Sequence, residues 1–293
     1  MNAIVIGAGL FGSLIARGLR NAGCLVTVVD SREPMAGSPP AACLIKPEWV
    51  KQLPKEVFDT GMAFLRSNYE VEEVSFHQQG TAFWVDPSTM IRPRPLNIEG
   101  RVLNIEHDKA IDKWVVAFLP AGNRQLHVPL HADIVVIAAG IWSQPLVDKV
   151  MSIDLGLTGK AGTALLFQDR TAAPFIRPWA PYKQIVGFNR RDSFWVSDGT
   201  AIIPENYTEV RKAASILRCE WEYDLRRYGK KRPFKFNPIE FSPYKTVTGI
   251  RPYSKREPCW CDQIKRNLWV ATGARKNGTL LGAWCADKIM RSL

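Results

Sequence analysis

The chain has 293 residues, is 46% hydrophobic and carries 39 Lys and Arg against 28 Asp and Glu, a net charge of +11. That length suits one large unit or two modest domains with an ample core. The sequence excludes a membrane-spanning helix, because no apolar run approaches the ~20 residues a bilayer needs, and its six scattered cysteines exclude a disulfide framework and point to a reducing, cytoplasmic setting.

The first apolar run, Ile4-Val5-Ile6, leads straight into Gly7, Gly9 and Gly12. That is not the pattern of a secretory leader. An amphipathic stretch over 13–22 follows, then Val26-Thr27-Val28-Val29-Asp30. Strand, glycine turn, helix, strand and acid in this order predict a dinucleotide clamp. Gly7 permits the tight turn, Gly9 lets backbone approach a pyrophosphate, and Gly12 lets the helix pack on the sheet. The helix N-terminus faces the phosphates. Asp30 is placed to hold a ribose diol.

Residues 31–47 read as a loop of small residues, and 49–69 have helical periodicity. Short strand patterns occupy 71–85, and prolines break 87–95. Residues 101–105, 114–119 and 125–129 look like a meander. Residues 133–140 form a continuous apolar strand ending at Gly140, as in the middle of a parallel sheet. Residues 143–150 return along the surface. A second sheet is expected from 162–167, 184–188 and 193–196, followed by a helix over 206–228. Strands at 246–250 and 267–272 and a helix over 278–293 close the chain.

The fold class is therefore α/β. A discontinuous Rossmann-type nucleotide domain (1–50, 96–158 and 246–293) holds an inserted, shortened antiparallel-sheet substrate domain (51–95 and 159–245).

Charge is concentrated. Residues 160–245 contain 16 Lys and Arg against 9 Asp and Glu. Arg226, Arg227, Lys230, Lys231, Arg232 and Lys235 alternate there with aromatic rings. Such a surface can hold phosphates while rings stack on bases. A solvated loop, or one that attracts a carboxylate, has the same composition. Cys259 and Cys261 form the one close cysteine pair, with no histidine nearby, so no metal site is expected.

Four segments together resemble the FAD-dependent amine and amino-acid oxidases of the D-amino-acid oxidase and glycine oxidase type. That family includes the flavoprotein domain of tRNA wobble-uridine modifying enzymes. The segments are 7–30, the loop Gly37-Ser38-Pro39-Pro40-Ala41-Ala42-Cys43-Leu44-Ile45, the run 132–143, and the pair 248–252 and 271–281. The resemblance implies FAD as cofactor. Gly7, Gly9, Gly12 and Asp30 would bind its ADP half, with Ser31 and Arg32 near the adenosine. Ser38, Ala41 and Ala42 would border the pyrophosphate and flavin, and Gly140 closes the matching central strand. Backbone at Asn277, Gly278, Thr279 and Leu280 would meet the pyrimidine edge of the ring. There a helix N-terminus stabilises negative charge. Arg251 would grip the substrate carboxylate bidentately, and Lys276 stands where related oxidases carry an arginine. Tyr182 and Tyr244 are candidate substrate-facing rings. Trp142, Trp195, Trp269 and Trp284 read as core.

The short span between Phe83 and Arg101 leaves a reduced substrate domain, open to a bulky substrate. With the basic surface, the resemblance to the flavoprotein domain of tRNA wobble-uridine modifying enzymes implies similar chemistry here: FAD-dependent C–N cleavage of a glycyl-type adduct on a nucleic-acid base. The products are an aminomethyl pyrimidine and glyoxylate. The sequence does not choose between DNA and tRNA. Oxidation of free glycine, sarcosine or a D-amino acid is the alternative, and a non-catalytic flavin-binding relative is a third.

Overall fold

The computed structural model describes residues 1–33, 36–76, 79–91, 97–122, 128–167, 174–180, 183–191, 193–197 and 245–293. The helix expected over 206–228, the basic stretch Arg226–Lys235, Tyr182 and Tyr244 lie outside the described residues.

The β-branched runs at the start, middle and end of the chain assemble side by side. An eight-stranded sheet runs Trp260–Lys265, Leu268–Thr272, Ile134–Ile137, Asn2–Ile6, Leu25–Asp30, Asn97–Asp108, Lys113–Pro120 and Val128–Ala132. Its centre is parallel: Asn2–Ile6 pairs with Leu25–Asp30 on one side and Ile134–Ile137 on the other. These strands are apolar almost throughout because both sheet faces are covered.

One face is covered by the helices Leu10–Asn21 and Gly278–Met290, which bury Leu14, Ile15 and Leu19 with Leu281, Ala286 and Ile289. The two helices approach closely at Gly18, where a Cβ would lie 3.2 Å from the Ala286 carbonyl oxygen. The expected meander forms the far edge of this sheet. It folds Val102, Ile105, Trp114, Val116 and Phe118 against Ile4, Ile6, Val135 and Ile137 on the opposite face.

A five-stranded antiparallel sheet runs Phe175–Ala180, Lys183–Asn189, Phe194–Ser197, Thr158–Phe167 and Lys245–Tyr253. Its last strand is longer than the expected 246–250, since all nine of its residues pair with Thr158–Leu166. A three-stranded sheet (Leu44–Ile45, Gly80–Val85, Val71–Phe76) packs on it through Trp84, Phe188 and Trp195.

The helix expected over 49–69 is shorter, Lys55–Asn68. Pro54 is its N-cap at φ −55°. A proline deeper in a helix would remove a backbone hydrogen bond and clash with the preceding turn, so Pro47–Trp49 forms a separate 3-10 turn. This helix rests on the start of the C-terminal one. At Gly61 a Cβ would lie 2.7 Å from the Leu280 carbonyl oxygen.

Candidate active site

The glycine turn is closed by backbone contacts that leave no room for side chains. Gly7 has φ +106°, and a Cβ there would lie 2.5 Å from the Ala138 carbonyl oxygen. A Cβ at Gly12 would lie 1.8 Å from the Gly7 carbonyl oxygen. At Gly9 it would come 2.8 Å from Ser38 Oγ, and that hydroxyl already accepts the Leu10 N–H at 2.8 Å. The small-residue loop is thereby tied to the first turn of the helix.

Asp30 ends the second strand as expected. Its carboxylate accepts the Ala8 N–H on one oxygen and the Arg32 N–H at 2.6 Å on the other. A carboxylate offers about four acceptor positions, so capacity remains for ribose hydroxyls.

These groups open onto one cavity of about 1280 Å³. It is lined by Gly7, Gly9, Asp30, Ser31, Ser38, Ala41, Ala42 and Gly140, and also by Arg251, Lys276, Asn277, Gly278, Thr279 and Leu280. Two of the expected site residues lie off it. Gly12 sits beneath the turn. Arg32, in the left-handed region at φ +52°, turns outward to pair with Glu99 at 2.9 Å.

The cavity is cationic. Lys46, Arg101, Lys149, Arg251, Arg275 and Lys276 line it against Asp30 and Glu33. Both covering helices start at its wall, each adding about half a positive charge. The residues present therefore fit a long, anionic dinucleotide. The glycines remove Cβ atoms where such a ligand approaches backbone, and the Asn277–Leu280 helix start also lies in the wall.

Lys46, Arg101 and Lys149 were not singled out by sequence reasoning. Lys46 is the one with a local signal: a lysine directly after the apolar pair Leu44-Ile45. It is buried and places Nζ 2.6 Å from Glu48, whose carboxyl it holds below its ordinary value.

The five-stranded sheet forms another part of the cavity wall. Arg251 projects from it, with Val186, Trp195 and Ser197 alongside. Trp195 is 6% exposed and donates Nε1–H to the Pro40 carbonyl at 3.2 Å. It is core, as expected, and cavity wall at once. Trp142 also lines the cavity. Arg275 is held by the Ser254 carbonyl at 2.9 Å and by Glu257 at 2.7 Å.

Cys43 lines the cavity with φ +55°. Burial pushes its thiol up to about 11, although a hydrogen bond with Thr279 acts in the other direction. It is a neutral wall group. Cys259 lies off the cavity, in the core, with Sγ 3.8 Å from Cys285 Sγ. Among the described residues no group of His, Cys, Asp or Glu is arranged to hold a metal ion, and no helix is long and apolar enough to cross a membrane.

A parallel sheet with a glycine turn, two helix N-termini and one cationic cavity define a dinucleotide-binding α/β protein with an antiparallel sheet in the cavity wall. Residues 98–291 match the DAO family, described as FAD dependent oxidoreductase. The chain belongs to that family, and FAD is its cofactor.

Solved structures share the fold over nearly the whole chain. L-proline dehydrogenase from P. horikoshii is similar at 11% identity, TM-score 0.67, covering 99% of this chain and 93% of that one. Iminodiacetate oxidase (IdaA) from Chelativorans sp. BNC1 is similar at 13%, TM-score 0.64, covering 97% and 93%. Glycine oxidase from Bacillus cereus ATCC 14579 is similar at 16%, TM-score 0.57, covering 99% and 94%. No curated protein matches by sequence.

Proposed function

We propose that the protein is an FAD-dependent amine oxidase that cleaves the C–N bond of an N-substituted glycine. The observation that carries this reading is the guanidinium of Arg251 in the wall of the cavity that also holds the Asn277–Leu280 helix start. The iminodiacetate and glycine oxidase folds cited above are consistent with it.

Bound FAD supplies the two-electron acceptor. Arg251, with Lys276 in the same cavity wall, holds the substrate carboxylate and so selects the face of the adjacent carbon presented for oxidation. Asn277, Gly278, Thr279 and Leu280 would hold the pyrimidine edge of the ring through helix N–H groups. Gly7, Gly9, Asp30, Ser31 and Ser38 would hold the ADP half. Segments 1–50, 96–158 and 246–293 carry the cofactor, and 51–95 with 159–245 shape the amine end. Lys245–Tyr253 serves both, pairing in the five-stranded sheet and bringing Arg251 to the cavity.

The substrate R–NH–CH2–COO⁻ loses a hydride from its methylene and the nitrogen proton to give R–N=CH–COO⁻. Water then releases R–NH2 and glyoxylate. We take R to be the methylene of a nucleic-acid base, so that an aminomethyl pyrimidine remains. Support for this is the +11 net charge, which favours a polyanion. Free glycine, sarcosine or a D-amino acid, giving an imine and hydrogen peroxide, is the second reading. It is favoured by the same Arg251 contact without any need for the surface charge. A reducing cytoplasm suits the five described cysteines, all of which are free thiols.

The test is anaerobic bleaching of the yellow holoprotein. Free glycine and sarcosine are offered on one side, and a polynucleotide bearing an N-glycyl aminomethyl pyrimidine on the other. Bleaching by the polynucleotide alone, with glyoxylate released, is expected. Bleaching by the free amino acids alone replaces the first reading with the second.

A further inference from the structure

Thr158–Phe167 and Lys245–Tyr253 pair antiparallel, with Lys160 opposite Arg251, Gly162 opposite Gly249 and Thr158 opposite Tyr253. Directly opposed residues share a sheet face, so Lys160 and Arg251 are two cations side by side. Like charges in that position repel. The structure parts them by leaning them in opposite directions. Lys160 Nζ lies over the Tyr253 ring, 4.3 Å from its centre, where the ring's negative face attracts it. Arg251 leans the other way, across Gly162. A Cβ there would lie 1.8 Å from Arg251 Nη2, 2.6 Å from Cζ and 2.8 Å from Nε. All three of its nearest atoms belong to that one guanidinium, and Gly162 is buried in the cavity wall.

We propose that Gly162 is a positioning residue for carboxylate recognition. Its missing side chain leaves the seat that the Arg251 guanidinium occupies in the cavity wall, and the Lys160–Tyr253 contact keeps the neighbouring cation off that seat. The requirement for glycine is not conformational, since Gly162 lies within a regular strand. It is a requirement for the volume the guanidinium fills. The substrate class that follows is an amine with a carboxylate on the carbon that is oxidised. This inference rests on the reading of Arg251 given above.

The experiment is a double-mutant cycle on FAD-loaded protein with Gly162→Ala and Arg251→Ala. It is read by the KM for an N-substituted glycine, by the KM for its uncharged glycinamide counterpart, and by FAD content. Gly162→Ala is expected to raise KM for the carboxylate about 10- to 100-fold, the worth of a charge-assisted pair. KM for the amide, kcat and FAD content stay near their starting values. In the Arg251→Ala background the same substitution adds nothing to KM, because the group it displaces is gone. If Gly162→Ala alone fails to fold, the double variant folds and binds FAD, because no guanidinium opposes the new Cβ.

Equal KM increases in both backgrounds, no increase in either, or failure of both variants to fold would overturn the seat. An unchanged carboxylate KM in Arg251→Ala alone would overturn the reading of Arg251 itself, a separate outcome.

Discussion

The two ends of the cavity are built by different physics. At the nucleotide end the chain removes atoms. Gly7 and Gly12 let backbone touch backbone, and two helices start at the wall. At the amine end it places side chains. Arg251, Trp195 and Ser197 stand on a sheet face whose neighbours come from strands far apart in sequence. The first end depends on local geometry, and its parts cannot be exchanged one at a time. The second depends on pairwise side-chain packing.

Gly12→Ala tests the first half of that contrast most severely. A Cβ 1.8 Å from the Gly7 carbonyl oxygen cannot be absorbed by a flexible side chain. We expect a loss of more than about 3 kcal/mol of stability in urea unfolding and purification without FAD. A yellow, stable variant would show that the turn tolerates separation of helix and strand.

Arg251→Ala addresses the other half. It should keep a full complement of FAD and raise the KM for a carboxylate-bearing amine by about 100-fold. Loss of FAD with unchanged turnover per bound flavin would move Arg251 from the amine end to the cofactor end.

Asp30→Asn is a milder probe. The amide keeps one acceptor oxygen but turns an NH2 toward a backbone donor, Ala8 N–H or Arg32 N–H. FAD affinity is expected to fall about tenfold, measured by the return of flavin fluorescence on dilution. An unchanged affinity would leave Asp30 as a clasp for the turn alone.

Cys43 gives the smallest effect. Its thiol is raised from an ordinary 9.0 to about 11, so the folded state favours the neutral form. Its contribution to stability is whole below the ordinary thiol value and is lost as pH rises toward 11. Alkylation of the holoprotein at about pH 8, followed by mass spectrometry, should leave Cys43 unmodified. Reaction at the rate of an open thiol would mean that this wall is not closed.

The same contrast explains what could be read in the sequence. Gly7, Gly9, Gly12 and Asp30 announce themselves because their roles depend on near neighbours: a strand before, a helix after, an acid at the next strand's end. Asn277–Leu280 is legible as the start of a helix, while its place at the flavin is implied only by the family resemblance. Pro54 carried a readable helix start that helical periodicity over 49–69 overrode. Gly162 was not legible, since its need for glycine comes from the Arg251 side chain on another strand. Lys46, Arg101 and Lys149 look like surface residues until the fold brings them to the cavity wall, where Lys46 alone is buried. The Ser38 bond to Leu10 N–H likewise exists only once the loop has crossed the helix end.

The most direct measurement is a single anaerobic turnover of FAD-loaded protein with an N-substituted glycine, following flavin bleaching and glyoxylate together, in the wild type and in Arg251→Ala. The account predicts glyoxylate equal to flavin reduced in the wild type, and bleaching in the variant only at far higher substrate concentration. Equal bleaching by both proteins, or bleaching without glyoxylate, would contradict it.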